Sequence, residues 1–375
     1  MEAKQIEEKR IQEILENSFI GEYIKDEGIT DIKFNGTSLR LQHNEKGRYP
    51  APKQPSYEEV KRLIKQIADI QKEEFTNAKP ELNTEIGFLR VNAVHECISE
   101  DGMTFAIRVS RPRLAVSSIS DLTSGVHTDV ENLLKVLMLA ESNILISGRT
   151  GTGKTELQKL LVSFIDEDSN IILVEDTRDS HIKTLYPLKD ISSWKTISDK
   201  FTMADSVRAA LRNNPDWIII AETRGAVSAD VLDSAKTDHA IITTIHAKGA
   251  MNIPSRLIPM IRQSPAYAII DDQLIGNEII EFLRFGIHLQ SKVINGKTVR
   301  RIKEIVEYTD FTEKGAVGTY LYRELIKYDP SLKEYRFEQE FNPLSQKVLD
   351  SIEDKELYHL LPDVFKQERN EIHAI

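Results

Sequence analysis

Two kinds of hydrophobic spacing alternate along the chain, and the change from one to the other divides it. Ile6, Ile11, Ile14 and Leu15 recur at helical steps, and Val60, Leu63, Ile64, Ile67 and Ile70 do so more regularly, so both stretches are predicted helices with one apolar face. Between them, Ile32-Lys33-Phe34 runs into Asn35-Gly36, a pair that favours a tight hairpin turn, and the apolar pattern resumes at Leu39-Arg40-Leu41. Two later segments alternate with period two. Leu89, Val91 and Ala93 form the apolar side of one, and Met103, Phe105, Ile107 and Val109 that of the other, which leaves Arg90 and Arg108 off the core face. Arg111-Pro112-Arg113 and Ser117-Ser118-Ile119-Ser120 then break the periodicity. Residues 1–112 are expected to form a small α+β domain and residues 113–127 a linker.

A second pattern starts at Thr128 and Glu131, which have the spacing of a capping box ahead of Val130, Leu133, Leu134, Leu137 and Met138. Short apolar runs at 144–146, 171–174, 217–221 and 240–244 then alternate with helical segments near 157–165, 202–212 and 228–236. That rhythm predicts an α/β domain with a parallel sheet and crossover helices. Ile279, Ile280, Phe282 and Leu283 predict one more helix, and Asn295-Gly296 places a hairpin between 287–293 and 299–308. The domain is expected to span 128–340, with 341–375 as a peripheral helical extension rich in Lys and Glu.

The candidate chemistry sits at the first of those strands. Gly148-Arg149-Thr150-Gly151-Thr152-Gly153-Lys154-Thr155 fits GxxxxGK[ST], with the strand Ile144-Leu145-Ile146 before it and a helical stripe of Leu157, Leu160, Leu161, Phe164 and Ile165 after it. Glycines let the backbone curl so that amide N–H groups point at phosphate oxygens, and the helix N-terminus adds partial positive charge. All eight residues are candidates for binding ATP. Lys154 would reach the β- and γ-phosphates, and the Thr155 hydroxyl would ligate Mg²⁺. Hydrolysis also needs an acid at the end of a neighbouring strand, and two strands end that way: 171–174 in Glu175-Asp176 and 217–221 in Glu222. Glu175, Asp176 and Glu222 are therefore candidates for holding Mg²⁺, partly through water. Which of Glu175 and Glu222 orients the attacking water stays open. His246 follows 240–245 at another strand end, where a hydrogen-bonded turn residue and a phosphate sensor are both consistent with the pattern.

Composition narrows the setting. At 375 residues the chain can hold two ordinary domains. It has no apolar stretch near the roughly eighteen residues that span a bilayer, and its first eight residues are too charged for a secretory signal, so a cytoplasmic protein is expected. Cys97 is the single cysteine, which rules out an intrachain disulfide and a cysteine zinc cluster. A net charge of -10 makes the chain a poor sequence-independent DNA binder, so direct nucleic-acid binding is not expected.

Together these residues resemble the traffic ATPases of type II and type IV secretion, which power pilus assembly, pilus retraction, protein export and conjugation. The likeness begins at Ile29-Thr30-Asp31-Ile32-Lys33-Phe34-Asn35-Gly36 and runs through Arg90-Val91-Asn92-Ala93 and Phe105-Ala106-Ile107-Arg108. Glu175-Asp176-Thr177-Arg178-Asp179 resembles the family's Asp box, Leu211 to Gly225 its Walker B region, Thr243-Thr244-Ile245-His246-Ala247 its His box, and Arg300-Arg301-Ile302-Lys303-Glu304-Ile305 its closing strand. The resemblance implies a RecA-like P-loop motor with a smaller α+β N-terminal domain. It also implies a homo-oligomer, expected to be a hexamer, that works with inner-membrane secretion or pilus-assembly proteins at the cytoplasmic face. Glu175, Glu222, Lys154 and His246 then take catalytic roles, and Arg90 and Arg108 reach from the N-terminal domain towards the phosphates. A DNA translocase and a nucleotide-gated scaffold with little hydrolysis are the competing readings. Two positions depart from the family. Thr237-Asp238-His239-Ala240 lacks the glycines usual around the first His of the His box, and Asp179 stands where Glu is common.

Overall fold

A computed structural model of the chain describes residues 11, 13–124, 128–197 and 200–367. It divides into two compact units, one of Met1–Pro112 with Val293–Val299, the other of Arg113–Lys292 with Arg300–Ile375. In the first, six strands form an antiparallel sheet: β1 (Ile29–Phe34), β2 (Leu39–His43), β3 (Gly47–Pro50), β4 (Glu81–Ile86), β5 (Leu89–Val94) and β6 (Thr104–Val109), in the order β3-β2-β1-β6-β5-β4. Alternation sets the faces. Leu89, Val91, Ala93, Phe105, Ile107 and Val109 are buried, while Arg90 and Arg108 lie on the other side, directly opposite each other across β5 and β6.

A short helix, α1 (Gly21–Lys25), precedes this sheet, and α2 (Tyr57–Gln71) covers it with Val60, Leu63, Ile64 and Ile67 fully buried. Each such side chain contributes about 1.5–3 kcal/mol on leaving water. The start of α2 is fixed by reciprocal bonds. Ser56 Oγ accepts from Glu59 N at 3.3 Å, and Ser56 N donates to the Glu59 carboxylate at 2.8 Å. Of the predicted leading helix, residues 11 and 13–16 are helical, and Ile6 lies outside the described residues.

The second unit holds nine strands: β7 (Ile144–Gly148), β8 (Ile171–Glu175), β9 (Ile191–Lys195), β10 (Trp217–Ile220), β11 (Ala240–Ile245), β12 (Phe285–Ile294), β13 (Lys297–Thr312), β14 (Gly315–Asp329) and β15 (Glu334–Phe341). Their order is β15-β14-β13-β12-β7-β11-β10-β8-β9. From β12 to β9 neighbours run parallel, whereas β13, β14 and β15 pair antiparallel, so the sheet is mixed. The parallel strands are apolar on both faces, as they must be with helices on both sides. The crossover helices α3 (Thr128–Leu139), α4 (Lys154–Ser163), α5 (Ile182–Leu185), α6 (Met203–Ala210), α7 (Val227–Lys236), α8 (Ile253–Ile261) and α9 (Asp272–Phe282) build two cores, one on each face.

Two stretches are more deeply built in than expected. Ile119 and Leu122, in the predicted linker, are buried in the motor core. The C-terminal segment is not peripheral. Helix α10 (Gln346–Asp354) inserts Val348, Leu349 and Ile352 into the same core, and Phe365 is 0% exposed there, because a narrow apolar stripe survives among the charges.

The capping box at α2 gives a local test of the first unit. Ser56→Ala should lower its stability by about 1 kcal/mol in urea unfolding, and an unchanged midpoint would show that the cap does not hold the helix.

Candidate functional site

The strand register gathers the candidate residues at one end of the motor sheet. Ile220 pairs with Val174 and with Thr243, and Ile245 pairs with Ser147, so Glu175, Glu222, His246 and Gly148 all leave their strands on the same side. That side is the carboxyl end of the parallel strands, where ligands of such sheets bind.

Gly148 closes β7 where no side chain fits. A Cβ there would lie 2.5 Å from Thr152 Oγ1 and 2.7 Å from the Leu289 carbonyl oxygen. Gly151 and Gly153 take φ values of 79° and 97°, which only glycine adopts freely, and the loop curls over into α4. Thr152 Oγ1 ties the curl by donating to the Arg149 carbonyl at 2.8 Å. Lys154 folds back so that Nζ donates to the Gly148 carbonyl at 3.1 Å, and Thr155 is exposed in the first turn of α4.

The end of β10 is anchored on both sides of Glu222. The Ala221 carbonyl accepts from Thr244 Oγ1 at 2.7 Å, Thr223 N donates to the Thr244 carbonyl at 2.8 Å, and the Thr223 and Thr243 hydroxyls meet at 2.6 Å. The Glu222 carboxylate is thereby held between Arg224, at 2.5 Å, and His246, whose Nε2 lies 3.1 Å from Oε1. That second contact is an ion-pair distance without hydrogen-bond geometry. Glu222 Oε1 is buried and has no hydrogen-bond donor among the described residues. Burial pushes the Glu222 carboxyl pKa up, but the Arg224 hydrogen bond, with the Arg224, His246 and Lys154 charges, outweighs it and leaves the pKa below the usual carboxylate value. The other ring nitrogen of His246, Nδ1, is 3.0 Å from the Gly148 carbonyl oxygen.

Glu175 is placed differently. It is 2% exposed, and Oε1 accepts from Ser180 N at 3.2 Å, so one oxygen is committed to the turn that follows β8. Asp176 is exposed and accepts from Thr196 Oγ1 at 3.2 Å. The structure therefore brings Lys154, Glu222, His246 and the Gly148 loop into one cluster, with Glu175 and Asp176 at its margin. Arg90 and Arg108 belong to the first unit, where Arg108 Nε is 3.6 Å from Asp31 Oδ1. His239 precedes β11 at its amino end, away from the cluster, with Nδ1 3.0 Å from Thr237 Oγ1.

Several residues of the site were not singled out as site residues by the sequence. Arg224 was visible as a charge two positions beyond Glu222, but only the fold shows it gripping that carboxylate. Arg300, on β13, donates from Nε to the Gly151 carbonyl at 2.8 Å. Ser147 Oγ meets His288 Nδ1 at 2.9 Å beneath the loop, both buried. Their partners are more than a hundred residues away in sequence, so spacing gives no signal.

A phosphate-binding loop on a central parallel strand, with a histidine ending the adjacent strand and an acid ending the next, defines a P-loop motor domain of the RecA-like class, here joined to a smaller α+β unit. The chain belongs to the type II/IV secretion system protein family, whose model matches residues 10–277. It is 34% identical over 311 residues to an uncharacterized protein of Bacillus anthracis, covering 80% of this chain and 69% of that one. It is 29% identical to the type IV secretion system protein VirB11 of Bartonella henselae over 48% of this chain, and spans 49% of that protein's length. The fold is similar to that of the ATPase DotB of Yersinia pseudotuberculosis, with a TM-score of 0.56 at 16% identity over 76% of each chain.

The absence of room at Gly148 predicts a specific defect. Gly148→Ala should weaken Mg-ATP binding by at least about tenfold, or about 1.4 kcal/mol, in fluorescent-nucleotide titrations, while circular dichroism still reports a folded sheet. Unaltered affinity would mean that the loop does not form the site.

Proposed function

We propose that this protein hydrolyses ATP to drive a type IV secretion, conjugation or pilus-assembly machine. The observation that carries the reading is the half-buried Glu222 carboxylate, beside the phosphate-binding loop with one oxygen inaccessible and free of hydrogen-bond donors among the described residues. In this reading the 148–155 loop holds the triphosphate, and Lys154 turns from the Gly148 carbonyl to phosphate oxygens. Glu222 orients the attacking water and takes up its proton at a carboxylate oxygen. Arg224 keeps that carboxylate ionised.

Bound with the triphosphate, Mg²⁺ supplies positive charge to the β- and γ-phosphate oxygens. A donorless carboxylate oxygen and an exposed hydroxyl at a helix start are oxygen groups of the kind this ion takes, so Glu222 and Thr155 fit the role. Asp176 would act through water, and Glu175 would join it from the turn it braces. His246 links Glu222 to the Gly148 carbonyl and so connects the acid to the loop. Arg90 and Arg108 would stabilise charge developing on the γ-phosphate. Because they lie on a separate unit, turnover would depend on how the two units are arranged.

Family membership supports the setting: a ring, expected to be a hexamer, on the cytoplasmic face of the inner membrane, docked on secretion or pilus-assembly proteins. No helix among the described residues is long and apolar enough to cross a membrane, so attachment in this reading is peripheral.

Phosphate-release assays test the chemistry. Lys154→Ala should lose turnover while remaining folded, and turnover at the unaltered rate would remove the reading. Arg90→Ala and Arg108→Ala should lower kcat more than nucleotide affinity; a pure loss of affinity would contradict their assignment to the transition state.

The pKa of Glu222 gives a separate test with a definite sign. Its depressed pKa keeps the carboxylate active at neutral pH, and activity should be lost as pH falls through that value. Arg224→Ala removes the main opposing influence, so burial then raises the pKa and the acid limb of the pH–rate profile should move to higher pH. An acid limb that does not move would break the proposed pairing.

A further inference from the structure

Beyond His246 the chain makes a loop whose position is set by a strand that the family match does not reach. The match ends at residue 277, and β13 begins at Lys297. Two side chains of β13 grip a single residue of the loop. Glu304 Oε2 accepts from Ala250 N at 2.8 Å, and Tyr308 Oη donates to the Ala250 carbonyl at 2.7 Å. Both are nearly inaccessible, at 4% and 0% exposed. Glycines clear their paths. A Cβ on Gly286 would sit 2.0 Å from Tyr308 Oη, and one on Gly249 would sit 3.1 Å from Glu304 Oε2.

The other oxygen of this carboxylate is also paired. Lys303 Nζ lies 2.9 Å from Glu304 Oε1, and the Glu304 charge acts on His288, whose ring contacts Ser147 immediately before Gly148. A line of contacts results: Gly148 to His246, along the chain to Ala250, and across to Glu304 on β13. A buried carboxylate costs several kcal/mol to desolvate unless it is paired and hydrogen-bonded. Glu304 meets that condition through Lys303 and Ala250 N, so what it contributes to the loop is a fixed acceptor for the Ala250 amide.

We propose that Glu304, with Tyr308, is a positioning residue for hydrolysis: by clamping the Ala250 backbone on both its N–H and its carbonyl it fixes the loop that follows His246, and through His246 the Glu222 carboxylate beside the phosphates. The proposal rests on the hydrolysis reading above, and it names the C-terminal strand as the support that completes the site. Glu304→Gln keeps an oxygen able to accept from Ala250 N; Glu304→Ala removes it; Tyr308→Phe removes one bond and keeps the ring.

The test measures steady-state phosphate release, fluorescent-nucleotide affinity and amide hydrogen exchange over residues 246–252 in the full chain. Glu304→Ala is expected to lower kcat by about tenfold or more with affinity within about threefold, and to speed exchange in the loop. Glu304→Gln should recover most of the rate, and Tyr308→Phe should show a smaller loss of kcat with the same sparing of affinity. Unaltered kcat in both Glu304→Ala and Tyr308→Phe, or equal loss of affinity and rate, would overturn the clamp. If Glu304→Ala fails to fold, Tyr308→Phe decides alone. Absence of turnover in the unaltered protein is a different failure: it removes the hydrolysis reading, and the clamp's role in it, at the source.

Discussion

One backbone oxygen holds the site together. The Gly148 carbonyl accepts from Lys154 Nζ at 3.1 Å and lies 3.0 Å from His246 Nδ1, so the loop's own lysine and the histidine of the adjacent strand meet on the last atom of β7. A side chain on Gly148 would displace this backbone, since Thr152 and Leu289 already occupy that space. From this point the electrostatics follow in order. His246 reaches Glu222, Arg224 closes on the other oxygen, and a carboxyl whose pKa burial pushes up is held below its usual value. The parallel register matters because it alone brings the ends of β7, β11 and β10 to one level.

Much of this was legible because it is local. A glycine-rich loop, an acid at a strand end and a period-two arginine each announce themselves within ten residues. Arg111 marks where local reading stops. Its sequence neighbours read as a break, whereas its guanidinium closes the first unit by donating to the carbonyls of Ile24, Asp26 and Ile29 at 2.6, 2.7 and 2.9 Å. Strands β14 and β15 were illegible for a related reason. Glu324 is fully buried on β14, with Oε2 accepting from Ser124 N and Oγ at 2.8 and 2.6 Å and from Tyr322, so a core position carries a charge and the alternation that would reveal the strand is lost. Helix α10 was discounted on composition, although three apolar residues on one face were enough to bury it.

The second layer of the site shows the same limit more sharply. Ser147, His288, Glu304 and Ala250 come from four separate segments, and each alone has an ordinary structural reading. Ser147 meets His288 only because β12 pairs with β7, and Glu304 reaches Ala250 only because β13 joins the same sheet. Motifs therefore name the groups that face the phosphates, while the groups that hold them in place depend on strand order.

The first unit presents a contrasting arrangement. Glu85, Arg90, Arg108 and Asp31 stand opposite one another across four consecutive strands, so two cations face each other with an acid on either flank. Like charges directly opposed cost up to about 1 kcal/mol, and the flanking acids relieve only part of that. An anion placed over the central pair would remove the repulsion. A phosphate is such an anion, which is the physical ground on which the proposed mechanism assigns the two arginines to phosphate charge.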